Sequence, residues 1–189
     1  MDFDGLFKLT LKSLPNEFTL FSFANSACQH LTSFTDNNNQ SYLMVNNHKD
    51  NIQVLKLYSN SKQEFNSQIY QEIDILSKGF ACSVLRGSKM YVGCSNGTLL
   101  ELNCKNFKIE REMNNDMPIQ SILVIENDLI VLAHSVSSGY MEDRSAISIV
   151  KPGQDYTFEC LVKQSLKGTG DINQIILNSI EESELILAC

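Results

Sequence analysis

The chain has 189 residues, 43% of them hydrophobic and 8% aromatic, with no Trp. That length suffices for one or two domains with a real core, and the hydrophobic fraction excludes a disordered tail. Fifteen basic against 22 acidic residues leave a net charge of −7, the wrong sign for a general nucleic-acid binder, and no run approaches the roughly 18 apolar residues of a membrane span.

The start, Met1-Asp2-Phe3-Asp4, is acidic, and Lys8 and Lys12 interrupt the apolar residues that follow. No secretory leader is read there, and the protein is expected in the cytoplasm. Stretches 6–11 and 18–23 are expected as strands of a preceding or closing unit, or as a separate cap over residues 1–26. Beyond them the signal is alternation with period two. Residues 52–58 place Ile52, Val54, Leu55 and Leu57 around Gln53 and Lys56. Residues 90–94, 99–102, 129–133, 146–150 and 185–189 are short, rich in Val, Ile and Leu, and bounded by Asn, Gly, Ser or Asp, as strands are. Residues 65–76 could form a helical stripe through Ile69, Ile73 and Leu76, but their composition favours a strand. Asn96-Gly97 predicts a two-residue hairpin with a type I′ turn. The polar tract 36–40 reads as a turn.

Four segments repeat one plan: a short strand, a polar turn, and a second strand ending in small residues. They are 27–45, 79–94, 118–133 and 171–189. With His30, Ser83, Ser121 and Gln174 taken as equivalent, the offsets are 53, 38 and 53. A four-strand unit recurring at about 40 residues or more is the mark of a propeller array.

The order resembles a divergent WD-repeat protein. Asp171-Ile172-Asn173-Gln174-Ile175-Ile176-Leu177 followed by Leu185-Ile186-Leu187-Ala188-Cys189 is similar to that family's opening two strands, and Cys94 to Leu102 to its second turn and third strand. The Trp-Asp dipeptide is absent, and Lys78-Gly79 and Thr169-Gly170 keep only the Gly of the Gly-His pair. The resemblance implies an all-β, propeller-like array of four-stranded antiparallel blades, about three and a half in number. Blades are expected at 27–75, 79–114 and 117–166, with a partial one at 171–189.

No catalytic set stands out. There is no Gly-Lys-Ser/Thr and no Gly-x-Ser-x-Gly. The six cysteines form no CxxC pair and read as buried thiols of a reducing compartment. His134 could join a zinc site or a Cys–His dyad but reads first as a polar strand end facing a turn; His48 reads as a solvated turn residue. No cofactor or metal is expected.

The third blade carries a long insertion between its second and third strands, 135–145. Its Tyr140, Met141 and Arg144 offer residue types enriched at interface anchors; Asp143 beside them, and His48 and Lys49 in the corresponding turn of the first blade, are the other candidate contacts. The expected function is a non-catalytic protein-interaction scaffold binding protein partners on this loop face, with neither nucleic acid nor membrane. A hydrolase or lyase on a propeller, or the regulatory propeller of a larger protein, are the rivals. Further blades or a partner chain would be needed to close the ring.

Overall fold

The computed structural model describes residues 9–11, 18–20, 28–36, 38–47, 51–59, 65–75, 78–125, 128–135, 145–166, 172, 174–179 and 184–188. All the regular elements among them are β-strands, and they pair antiparallel throughout. The chain divides into two compact units, residues 1–76 and 77–189.

In the first unit, β1 (Leu9–Leu11) and β2 (Phe18–Leu20) form a two-stranded sheet with Leu9 opposite Leu20 and Leu11 opposite Phe18. A four-stranded sheet follows in chain order: β3 (Cys28–Thr35), β4 (Ser41–Asn47), β5 (Asn51–Ser59) and β6 (Phe65–Asp74). Of the segment 65–76, Phe65–Asp74 is therefore a strand, as its composition suggests. The turn before β4 is built by Asp36. Its Oδ1 accepts hydrogen bonds from the backbone N–H groups of Asn38 and Gln40, 2.8 and 2.9 Å away, while Asn39 takes a left-handed φ of 59°. Behind it Phe34 and Tyr42 stack, ring centroids 5.2 Å apart. Leu43, Val45 and Leu55 form the core of this sheet with Leu57 against them.

The second unit holds two more four-stranded sheets. One comprises β7 (Phe80–Arg86), β8 (Lys89–Cys94), β9 (Thr98–Asn103) and β10 (Lys108–Asn114). The other comprises β11 (Ile119–Val124), β12 (Ile130–Ser135), β13 (Ser145–Pro152) and β14 (Phe158–Leu166). A last pair, β15 (Gln174–Ser179) and β16 (Glu184–Ala188), forms a two-stranded sheet. Second strands are buried on both faces: Met90 to Cys94 and Ile130 to Ser135 are all inaccessible. Both read as continuous apolar runs for that reason, whereas alternation survives in β13, where Ile147 and Ile149 are half-buried between buried neighbours. The main core lies between the two sheets, with Tyr91 and Leu99 of one against Ile119, Ile122, Ile130, Leu132, Val150 and Phe158 of the other. On the far side of the second sheet, Val131 and Ala133 pack with Ile172 and Ile175. Gly93 permits the close approach of the sheets: a Cβ there would meet Ile119 at 2.6 Å and the Cys82 sulfur at 2.8 Å.

One irregularity recurs in all three four-stranded sheets. The pairing of first with second strand slips by one residue after its first pair, between Cys28 and His30, Phe80 and Cys82, and Ile119 and Ser121. Such a bulge adds one residue to one strand and increases the local twist. By this register His30, Cys82 and Ser121 are equivalent. The sequence comparison aligned Ser83 instead of Cys82, a one-residue slip that exchanges the two faces of the strand.

Candidate functional site

The turn between β8 and β9 is tied to the chain segments that enter and leave its sheet. Gly97 donates its N–H to the Cys94 carbonyl at 3.0 Å with a φ of 92°, and Asn96 does not take a positive φ. The hairpin is thus a three-residue turn with a left-handed glycine at its third position, and the expected type I′ turn is not formed. Asn96 acts through its side chain, whose Oδ1 accepts the N–H of Thr98 at 2.9 Å. On the entering side, the N–H groups of Ser95 and Asn96 donate to the carbonyls of Gly79 and Lys78 at 2.7 and 3.1 Å. On the leaving side, Asn115 donates its backbone N–H and its Nδ2 to the Gly97 carbonyl at 3.0 and 2.9 Å. In the next sheet Ser135 repeats the entering contact, donating its N–H to the Pro118 carbonyl at 3.3 Å. At this end of the unit, backbone hydrogen bonds therefore tie the 95–97 turn and the end of β12 to the segments that enter and leave their sheets.

His134 belongs to this end but lies inside it. Register places it opposite Ile119, as Cys94 lies opposite Phe80, so the two are equivalent. Its side chain is fully buried, which corrects the reading of a polar strand end facing a turn. Nδ1 sits 3.2 Å from the Met117 carbonyl and Nε2 sits 2.9 Å from the Ser148 hydroxyl. A neutral ring protonated on Nδ1 satisfies both: it donates to Met117 and accepts from Ser148. Burial lowers its pKa from 6.5, opposed by the hydrogen bonds to the backbone of Met117 and Pro118. Both nitrogens are committed to protein groups, and no cluster of three or more His, Cys, Asp or Glu occurs among the described residues.

A second polar group sits between the sheets. Register aligns Val84, Tyr91, Glu101 and Arg111 in one row across β7 to β10. The Glu101 carboxylate is fully buried; its Oε1 accepts from Arg111 Nη1 at 2.5 Å and lies 3.3 Å from Lys89 Nζ. Glu101 Oε2, Arg111 Nε and the Tyr91 hydroxyl are buried without a hydrogen-bond partner. Burial first, then the Glu101 charge, raise the Tyr91 pKa and keep the phenol protonated. Nothing in the sequence singled this row out, because Glu101 falls in an apolar run where one carboxylate reads as a solvated position.

The residues expected to bind partners, Tyr140, Met141, Asp143, Arg144, His48 and Lys49, lie outside the described residues. Their anchors are described. Ser135 pairs with Ser145 and Asn47 with Asn51, so both connections leave a second strand and enter a third, as 95–97 does. Among the cysteines, Cys94 and Cys104 are buried, but Cys160 is exposed on β14, contrary to its expected place in a core.

No protein-family model and no curated protein matches the sequence. Solved structures do. The crystal structure of the computationally designed Ika4 protein matches with a TM-score of 0.60 at 10% identity, over 88% of this chain and 92% of that one. A chain of the mitotic checkpoint complex gives 0.60 at 12%, over 93% and 50%, and the C-terminal WD40 domain of Sif2 gives 0.57 at 12%, over 84% and 45%. The fold is that of a WD-repeat-like β-propeller. Its three four-stranded sheets are blades, and this chain spans about half the length of the last two structures it matches.

Proposed function

We propose that this propeller is a non-catalytic scaffold that receives protein partners on the end of its blades where second strands turn into third strands. The observation that carries the reading is the lacing of that end by Ser95, Asn96, Gly97, Asn115 and Ser135, which makes it a rigid platform from which 136–144 departs. A platform of fixed backbone holding a longer connection is how many folds present binding residues. Tyr140, Met141, Asp143 and Arg144, with His48 and Lys49, are the contacts assigned to it. The same reading divides the chain into an N-terminal piece, 1–26, and blades at 27–75, 79–114, 117–166 and 171–189, and places the protein in the cytoplasm. No helix among the described residues is long and apolar enough to cross a membrane.

The test is affinity capture followed by mass spectrometry, with the wild-type chain and a triple variant, Tyr140→Ala, Met141→Ala and Arg144→Ala. The expected result is loss of specific partners from the variant at unchanged melting temperature. Tyr156→Ala, in the exposed turn at the opposite end of the third blade, is expected to keep them. Unchanged capture by the triple variant would reject the reading.

A further inference from the structure

The end of the second blade opposite the 95–97 turn collects positive charge. Register sets Arg86 opposite Lys89, Lys89 opposite Asn103, and Asn103 opposite Lys108, so one row across β7 to β10 carries three cations and one amide. Residues opposite one another in antiparallel strands share a face, and like charges so placed destabilise a sheet. Arg86 opposite Lys89 is such a pair. One carboxylate offsets it in part: Glu101 Oε1 lies 3.3 Å from Lys89 Nζ, but it is shared with Arg111. Neither Arg86 nor Lys108, nor Lys105 in the turn between them and β9, has an ion pair among the described residues. The remaining described cations of this unit are matched, Lys78 with Glu112, Lys151 with Glu159 and Lys163 with Asp116. In a chain of net charge −7, three uncompensated cations gather at one end of one blade.

The turns that carry these side chains are held in place. The Cys104 N–H donates to the Ser88 carbonyl at 2.8 Å, joining the β9–β10 turn to the β7–β8 turn. Asn103 Oδ1 accepts the Lys105 N–H at 2.8 Å, and Asn106 Oδ1 accepts the Lys108 N–H at 3.0 Å. Phe107, at a left-handed φ of 55°, is buried within the same turn. On this frame Arg86, Lys105 and Lys108 are exposed and Lys89 is half-buried. At the same end of the third blade the described turns hold Asp128 and Asp155, while Lys151 is taken by Glu159. The positive region is thus confined to the second blade.

We infer that this end of the second blade docks a short acidic segment of a partner protein on Arg86, Lys89 and Lys108, with Lys105 beside them. The surface lies at the other end of the blades from the 136–144 connection and goes beyond the reading given above. Its dimensions suit an extended peptide. Neighbouring strands lie about 4.8 Å apart, so the row from Arg86 to Lys108 spans about 14 Å, the length of about five extended residues. Carboxylates at alternate positions of such a segment recur at about 7 Å, which brings one to each end of the row and one beside Lys89. A nucleic-acid backbone fits less well, because its even charge would continue onto Asp128 and Asp155 and meet the negative charge of the whole chain.

The experiment is fluorescence anisotropy with the whole chain and a fluorescent peptide of alternating Glu and Ser at low ionic strength. The wild type is expected to bind it, and the affinity to fall as salt is raised. Arg86→Gln combined with Lys108→Gln is expected to weaken binding about tenfold at unchanged melting temperature, since both side chains are exposed. Arg86→Lys combined with Lys108→Arg keeps the charges and is expected to keep the affinity. Lys56→Gln combined with Lys163→Gln removes equal charge elsewhere and is expected to leave the affinity within about twofold. Absence of binding, equal weakening by the two Gln pairs, or tighter binding of an oligothymidylate of the same length than of the peptide would each overturn the inference.

Discussion

The Nε2 of His134 lies 2.9 Å from the hydroxyl of Ser148, with both side chains wholly buried. The ring spans second and third strands of one blade, and through Nδ1 it also holds the Met117 carbonyl in the segment that enters that blade. Three pieces of chain are thereby fixed around one neutral imidazole. Protonation would place a charge in a site without water access.

The sign of the pH dependence follows. The folded pKa of His134 lies below 6.5, so the unfolded state takes up the proton first as pH falls. The contribution to stability is fully present above about pH 6.5 and is lost as pH falls below that value toward the folded pKa. Thermal melts between pH 7.5 and 5 are expected to show a falling melting temperature, with a shallower slope in His134→Gln. An equal slope in the variant would remove His134 as the cause. Ser148→Ala leaves Nε2 unpaired and is expected to cost about 1–3 kcal/mol at pH 7.5.

The ion pair of Glu101 and Arg111 is expected to be strongly non-additive. Arg111→Met leaves the buried Glu101 carboxylate with only Lys89 beside it, at a cost of about 3 kcal/mol. Glu101→Leu combined with Arg111→Met removes the charges together and is expected to cost less than Arg111→Met alone. Urea denaturation of the wild type, both single variants and the double variant measures the coupling. Additive losses would show that burial of the carboxylate is not what makes the pair matter.

Two glycines with left-handed φ separate strain from collision. Gly87 at φ 59° has open space where a Cβ would go, whereas a Cβ on Gly97 would fall on the Asn115 and Met117 carbonyl oxygens. Gly87→Ala is expected to cost about 1 kcal/mol from backbone strain. Gly97→Ala is expected to cost more than twice that, because the laced turn must also shift. Chemical denaturation gives both values, and equal costs would mean that the turn yields freely.

Thiol reactivity offers a readout of packing. Burial pushes Cys82 and Cys94 up to about 12 and Cys104 up to about 11, so their thiolates are scarce at pH 8. Brief alkylation of the folded chain is expected to label Cys160 and spare these three, as read by peptide mass spectrometry. Rapid labelling of Cys94 would show that the second strand of its blade opens readily.

What was legible in the sequence was the set of strands and their grouping. Turn residues and short apolar runs are local properties, and a repeated four-strand plan leaves its period in the chain. The hairpin at Asn96-Gly97 was placed correctly, yet its turn type was not, because the lacing by Lys78, Gly79 and Asn115 selects the backbone of that turn. Cys82 was missed as the repeat position because a bulge is set by pairing geometry and adds a residue without a side-chain signature. Glu101 was missed because its counter-ion lies ten positions away on the next strand.

By itself, then, the amino-acid order determined that the chain is all-β and built from four-stranded antiparallel units, since alternation, β-branched content and turn chemistry act between near neighbours. Tertiary structure alone decided which residues share a register, why His134 stays neutral, and why the 95–97 turn carries a left-handed glycine at its third position. Those facts depend on contacts between strands distant in sequence, and burial at such contacts, more than residue type, sets charge state and turn geometry.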